Sequence, residues 1–303
     1  MSANYNIPVI KYRKIFYLIS AAVILAGFAS IALHRGLKLG IDFAGGNLVQ
    51  IELMDKSVGI GEVRQVLEST GYGGNVQRVD DPERSIFILK ARALETNNTR
   101  VINAIRSAFS GKYGAENVVF ERIDIVGPKI SKYLLRSGYI ILAVAVALIL
   151  LYVAFRFRFR FGVTSVLALF HDVLVMLAFI SLFGKEMDTF QFAAILTILG
   201  YSINDTIVVF DRVRENLKSS RAHEDFAGTF NSSINQTFSR TLLTSGTTLI
   251  AVLVLWIFGG PTTRDFAFSL TVGVVSGTYS SIFIASALVV DWHKWKPEKM
   301  KTA

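Results

Sequence analysis

GYSINDTIVVFDRVREN, Gly200 to Asn216, is the stretch on which the reading of this chain turns. Asn204 and Asp205 lie inside an apolar helical pattern that reaches Phe210 and then passes into the charged run Asp211, Arg212, Arg214 and Glu215. Insertion scales set a carboxylate at a helix centre at roughly 2.5 to 3.5 kcal/mol. An acid in such a place points to a function, and its surroundings say which kind.

Those surroundings are a membrane protein's. The chain has 303 residues, 52% hydrophobic, and no cysteine, so disulfides and thiolate metal sites are excluded. A formal charge of +9 would suggest acidic partners in a soluble chain, but the basic residues cluster beside apolar runs. They read as topology signals, and no nucleic-acid partner is expected. The first apolar run, Ile15 to Leu33 (15–33), is long enough to span and lacks a small-residue cleavage site, so it is expected to remain as an anchor. Lys11, Arg13 and Lys14 precede it and put the tail 1–14 on the cytoplasmic side.

Between Gly200 and the two ends lie five more apolar stretches, at 138–155, 163–183, 190–210, 241–258 and 266–290, which bring the total to six spans. Arg156, Arg158 and Arg160 follow the second span. Arg212, Arg214, Lys218 and Arg221 follow the fourth, and Lys294, Lys296, Lys299 and Lys301 follow the sixth, in the tail 291–303. All three segments fall on the side of the N-terminus, so both termini are expected inside.

Residues 34–137 have a water-soluble texture and form an extracytoplasmic domain. The pattern predicts strands at Gly46–Met54, Asn75–Val79, Ser85–Arg92 and Asn117–Val126, with helices at Gly61–Thr70 and Thr96–Ser110, the second capped by Thr96 or Asn97. That order is βαββαβ, the ferredoxin-like α+β arrangement. The segment 211–240 is expected to be a cytoplasmic amphipathic linker. Its stripe Phe226, Phe230, Ile234 and Phe238 fits either an interfacial helix or packing against the cytoplasmic ends of the spans.

Candidates for chemistry inside the bilayer are Asp205 with Asn204, the pair His171–Asp172 in the third span, and Arg240 where the fifth begins. At 1.5 Å per residue, Asp205 lies about 7 to 8 Å from Phe210 and Asp172 about 13 to 14 Å from Val163, so the acids differ in depth by about one turn. With Arg240 able to reach inward, all could share one polar cluster. An Asp poised between burial and a guanidinium can change protonation when a helix moves, and the membrane potential supplies about 2.3 kcal/mol per charge per 100 mV. The alternatives are a static ion pair that locks helices and, for Arg240, a topology anchor. Ser269, Gly273, Gly277 and Ser281 recur every four residues in the last span, a small-residue stripe suited to close helix approach.

No GxxxxGK[ST] loop, GxSxG or HExxH motif occurs, and the histidines at 34, 171, 223 and 293 have no metal-ligand spacing. No enzymatic activity and no cofactor are expected.

Over nearly its whole length the chain resembles the SecF family, the smaller subunits of the SecDF protein-export membrane proteins, which are related to the RND exporters. The likeness is carried by GLKLGIDFAGG (36–46), ALFHDVLV (168–175), GYSINDTIVVFDRVREN (200–216), SRTLLTS (239–245) and SGTYSSIFIASALV (276–289). The resemblance implies a bacterial inner-membrane subunit that pairs with SecD in a twelve-span unit. It implies association with the SecYEG channel and YajC, and use of the proton-motive force to move preproteins outward. It also implies that Asp205 and Arg240 are the proton-pathway pair. Two rival readings of the same layout are a subunit of a small-molecule RND-type proton antiporter and a non-catalytic scaffold for SecD and the channel.

Overall fold

A computed structural model describes residues 6–79, 81–91, 98–218 and 225–296. Six helices in it are long and apolar enough to cross a membrane. The first is α1 (Val9–Leu33). A one-turn helix, α2 (Ile41–Ala44), follows and leads into the extramembrane domain.

That domain runs β1 (Gly46–Leu53), α3 (Ile60–Ser69), β2 (Gly74–Arg78), β3 (Ser85–Ala91), α4 (Asn98–Tyr113) and β4 (Val118–Val126). Its sheet has the order β2-β3-β1-β4 with every pairing antiparallel, which is the ferredoxin-like topology expected from βαββαβ. Alternation along β1 turns Val49, Ile51 and Leu53 inward, where they meet Val63 and Leu67 of α3 and Val101, Ile105 and Phe109 of α4. On β3, Ser85 to Ala91 is buried almost throughout, as befits a central strand. Entry to β1 depends on Gly45, whose φ of 78° lies where side-chain-bearing residues are strained. At the sheet edge Arg84 bonds Glu52, 2.9 Å from Nε, and Glu121. Its hydrogen bond holds the Glu52 carboxyl below the usual carboxylate range. The expected caps Thr96 and Asn97 lie outside the described residues.

The remaining spans are α5 (Pro128–Arg156), α6 (Phe159–Leu182), α7 (Thr189–Asn216), α8 (Phe226–Phe258) and a last helix in two parts, α9 (Pro261–Ser280) and α10 (Ser286–Trp295), joined by a π turn at Ser281–Ala285. Short connections make neighbours antiparallel, so both described chain ends lie on the side away from the domain. There Arg13 of α1 meets Asp291 of α10 at 2.7 Å, and Ile7 N–H donates to Asn235 of α8 at 2.8 Å.

Every span is longer than its apolar stretch. The helix α7 continues through Asp211–Glu215, whose charges are used at its end: Arg156 pairs with Asp211, and Arg212 reaches Glu215 and Gln236, each at 2.6 Å. The helix α8 begins at Phe226, so half of the expected linker, residues 226–240, is the start of a 33-residue helix. Its stripe faces inward. Phe230 and Ile234 are buried in the bundle core, with Phe226 and Phe238 packed against it. Packing, rather than an interfacial position, accounts for that periodicity.

The small-residue stripe seats α9 on α7. A Cβ on Gly273 would collide with Ile198, and one on Gly277 would stand 2.9 Å from Ser202 Cβ. Replacing Gly277 by Val should therefore part the two helices at a cost of about 1–3 kcal/mol, read as a lower unfolding midpoint of the purified chain in detergent. An unchanged midpoint would mean that this contact is slack. In contrast, α1, α5 and α8 leave long apolar faces uncovered by the chain itself, including Leu18, Leu148, Phe155, Leu243 and Ile250.

Candidate functional site

The polar groups inside the bundle gather around two carboxylates. Asp172, midway along α6, is wholly buried. Ser276 Oγ and Ser280 Oγ of α9 donate to its Oδ1 and Oδ2, each at 2.7 Å, and Ser202 Oγ of α7 donates to Oδ2 at 2.6 Å. His171 Nδ1 stands 3.0 Å from Oδ1. Three hydroxyl donors from two spans and an imidazole nitrogen from α6 itself thus meet one carboxyl group and fill its hydrogen-bonding capacity.

From His171 the network continues outward. Its Nε2 lies 2.9 Å from Ser20 Oγ of α1, which lies 3.2 Å from Tyr279 OH, and Tyr279 donates to the Phe16 carbonyl at 2.6 Å. Because Tyr279 spends its proton on the Phe16 carbonyl, Ser20 donates to Tyr279 and accepts from Nε2, so the imidazole carries a proton on Nε2, and a further proton is shared between Nδ1 and Asp172 Oδ1. The chain ends at an apolar groove of about 320 Å³ between α1, α6 and α9, lined by Val23, Val175, Phe179 and Val275 with His171 and Tyr279.

Asp205 is in a different condition. It is 2% exposed, and one hydroxyl serves it: Ser245 Oγ of α8, at 3.2 Å from Oδ2. Ser245 in turn accepts from Thr278 of α9 at 2.6 Å. One long hydrogen bond replaces little of a carboxylate's hydration, so an ionised Asp205 is poorly solvated here, whereas Asp172 is saturated. The two sites share two helices. Ser202 and Asp205 both lie on α7, and Ser276 and Ser280 alternate with Thr278 on α9.

Two expected members make no direct contact with these carboxylates. Arg240 is exposed, and among the described residues no ion pair joins it to Asp205, although it is close enough for its charge to act on that carboxylate. The reason is helical phase: Ser245, which faces Asp205, is five residues further along α8, about 140° around the helix. Thr244 and Thr248, on the same face of α8 as Arg240, return their hydroxyls to the carbonyls of Arg240 and Thr244. Asn204 is likewise exposed, on the outer face of α7. In place of the single polar cluster expected from depth alone there are two sites on shared helices, Asp172 with His171 and Asp205 with Ser245; Asn204 joins neither, and Arg240 acts on Asp205 through its charge without touching it. Ser202, Ser276, Ser280, Ser245, Ser20 and Tyr279 were not singled out by the sequence. The i,i+4 pair Ser276–Ser280 within an apolar span was the available signal. Among the described residues no group of His, Asp and Glu is arranged to hold a metal ion.

Comparison with known proteins agrees with this architecture. The family described as "Protein export membrane protein SecD/SecF, C-terminal" matches residues 107–295, and the SecD/SecF GG motif matches residues 31–53, the end of α1 through β1. The SecF subunit of the protein translocase from Desulfurispirillum indicum is 42% identical over 95% of this chain and 92% of its own length. That of Rickettsia bellii is 35% identical over 95% and 94%. The crystal structure of SecDF from Thermus thermophilus, a translocon-associated membrane protein, superposes with a TM-score of 0.77 at 37% identity over 96% of this chain. This chain spans 39% of that longer one. A SecDF structure in the super-membrane-facing form gives 0.68 at 38% identity. The six spans, the inserted βαββαβ domain and these relatives together make the chain a multi-pass membrane protein that belongs to the SecD/SecF family of protein-export membrane proteins, on the SecF side.

Proposed function

We propose that the protein is the SecF subunit of a protein-export accessory complex in a bacterial inner membrane, with both termini in the cytoplasm and the βαββαβ domain, residues 34–137, outside. It pairs with SecD, works beside the SecYEG channel and YajC, and uses the proton-motive force to promote passage of preproteins. The observation that carries this reading is Asp205, a carboxylate buried in a span with one hydroxyl for a partner. Such a group is stable when neutral and unstable when charged, unless a neighbouring helix moves to serve it. Protonation and helix position are then linked, which is what a proton-driven motor requires. Asp172 with His171 forms the fixed half of the same pathway. Arg240 and Asn204 are exposed on α8 and α7, where SecD, the partner that family membership implies, would cover them, and the charge of Arg240 acts on Asp205 from there.

The test is made in proteoliposomes that contain the channel, its motor and SecD, with or without this chain. Export that the chain stimulates under an imposed proton gradient should fall to the level without the chain when a protonophore collapses that gradient. Stimulation that survives the protonophore would make the chain a scaffold.

A further inference from the structure

Where the βαββαβ domain sits on the ends of the spans, the structure forms a cleft of about 460 Å³ that the proton pathway does not use. Three cations line it: Lys38 from the segment after α1, Arg64 of α3 and Lys90 of β3. The carboxylate among them is Glu186, which Lys90 meets at 2.8 Å and Asn75 at 3.1 Å. Lys38 and Arg64 are exposed, and among the described residues neither has a carboxylate partner. The cleft therefore carries a net charge of about two positive. Leu39 and Ile41 add apolar side chains to its lining.

Its height matters as much as its charge. Lys38 is five residues past the end of α1, and Gly184, also in the lining, is two residues past the end of α6. Leu33, Leu182 and Phe183, at those helix ends, are exposed. Apolar helix ends, then Leu39, then cations thus follow one another from span to cleft, which is the polarity of a phospholipid read from its tails to its head. The backbone holds this mouth in place, since Leu39 bridges to Met187, with N–H to carbonyl distances of 2.7 and 2.9 Å between residues 38–40 and 187.

We propose that the cleft binds a phosphate ester, and that the ester belongs to an anionic phospholipid of the leaflet on the domain's side of the membrane. The lipid phosphate sits between Lys38 and Arg64, with its glycerol against Leu39 and its acyl chains on the exposed ends of α1 and α6. Bound there, it touches the domain and the membrane part together and steadies one on the other.

The full chain is reconstituted in nanodiscs of phosphatidylglycerol and phosphatidylcholine, released, and its retained lipid counted by native mass spectrometry. Wild type should keep one phosphatidylglycerol in preference to phosphatidylcholine. One basic residue at an anionic lipid surface is worth roughly a factor of five in affinity, so the double variant Lys38→Gln/Arg64→Gln should bind about 25-fold more weakly. Neither side chain serves the fold, so this variant should melt with the wild type, and Lys56→Gln, on the far part of the domain, should keep the lipid. Because the chain has no cysteine, Leu39→Cys offers a second reading: phosphatidylglycerol, and not phosphatidylcholine, should shield it from an aqueous maleimide. Binding by the double variant within twofold of wild type would overturn the proposal. So would displacement of the lipid by millimolar inorganic phosphate, which would make the cleft a site for the free anion, or equal shielding of Leu39→Cys by both lipids.

Discussion

Asp205→Asn should abolish the proton-dependent part of export while leaving the chain folded and assembled. The amide has the shape of the carboxyl and can still accept from Ser245 through its oxygen, so the packing of α7 against α8 and α9 is kept. Among the described residues no side chain bonds Oδ1, and an amide N–H left there without a partner costs at most about 1–3 kcal/mol. That loss is small beside the stability of a six-span bundle and shows as a modest fall in the unfolding midpoint. What the amide cannot do is titrate. A ligand shifts a conformational equilibrium only through its different affinity for the two states, and a proton with no group to bind has none. Export in proteoliposomes under an imposed gradient should therefore drop to the level measured without the chain, while copurification with SecD is unchanged. Wild-type export by Asp205→Asn would remove Asp205 from the proton pathway, and loss of copurification would make the residue a packing element.

Arg240 illustrates what depth alone leaves out. Hydropathy places Asp205, Asp172 and Arg240 within reach of one another along the membrane normal, but contact also needs the rotation of each helix about its axis. That rotation is set by packing on other helices. On α7 it turns Asp205 inward and Asn204 outward, although the two are adjacent in sequence. The βαββαβ domain was legible because strand alternation and helix periodicity state which face is buried, and each of its elements begins and ends within three residues of where the pattern puts it. The six spans were legible for the same reason of scale, since about 20 apolar residues mark each one. Their true ends were not. The backbone stays helical through Asp211–Glu215 and from Phe226 onward because neighbouring helices cover those turns, a tertiary cause with no local signature. The hydroxyls around Asp172 were hidden likewise: a serine in a span usually bonds its own helix four residues back, as Thr244 and Thr248 do, and only the assembled bundle turns Ser202, Ser276 and Ser280 elsewhere.

That arrangement allows the hydrogen bonds of Asp172 to be separated from its charge. In Asp172→Asn the NH₂ should turn toward His171 Nδ1, which accepts when Nε2 carries the proton, and toward Ser276, a hydroxyl that can accept as well as donate. The oxygen then keeps Ser202 and Ser280 as donors. The cage survives with two bonds reversed, and the unfolding midpoint should stay within about 2 °C, since about 0.5 kcal/mol moves a chain of this size by no more than that. Asp172→Ala removes the common acceptor of three spans. The serines fall back on their own helices, His171 is left facing apolar side chains, and the cost should be about 2 kcal/mol, within the range for stranding buried donors. The charge, however, is lost in both variants. Without a carboxyl beside it, His171 has no acid with which to exchange the proton at Nδ1, so the chain through Ser20 and Tyr279 no longer leads to a titrating group. Export should therefore collapse in Asp172→Asn despite an intact fold, and in Asp172→Ala along with it. If Asp172→Asn exports as wild type while Asp172→Ala melts early, the carboxylate is a clasp that joins α6, α7 and α9, and the pathway consists of Asp205 without it.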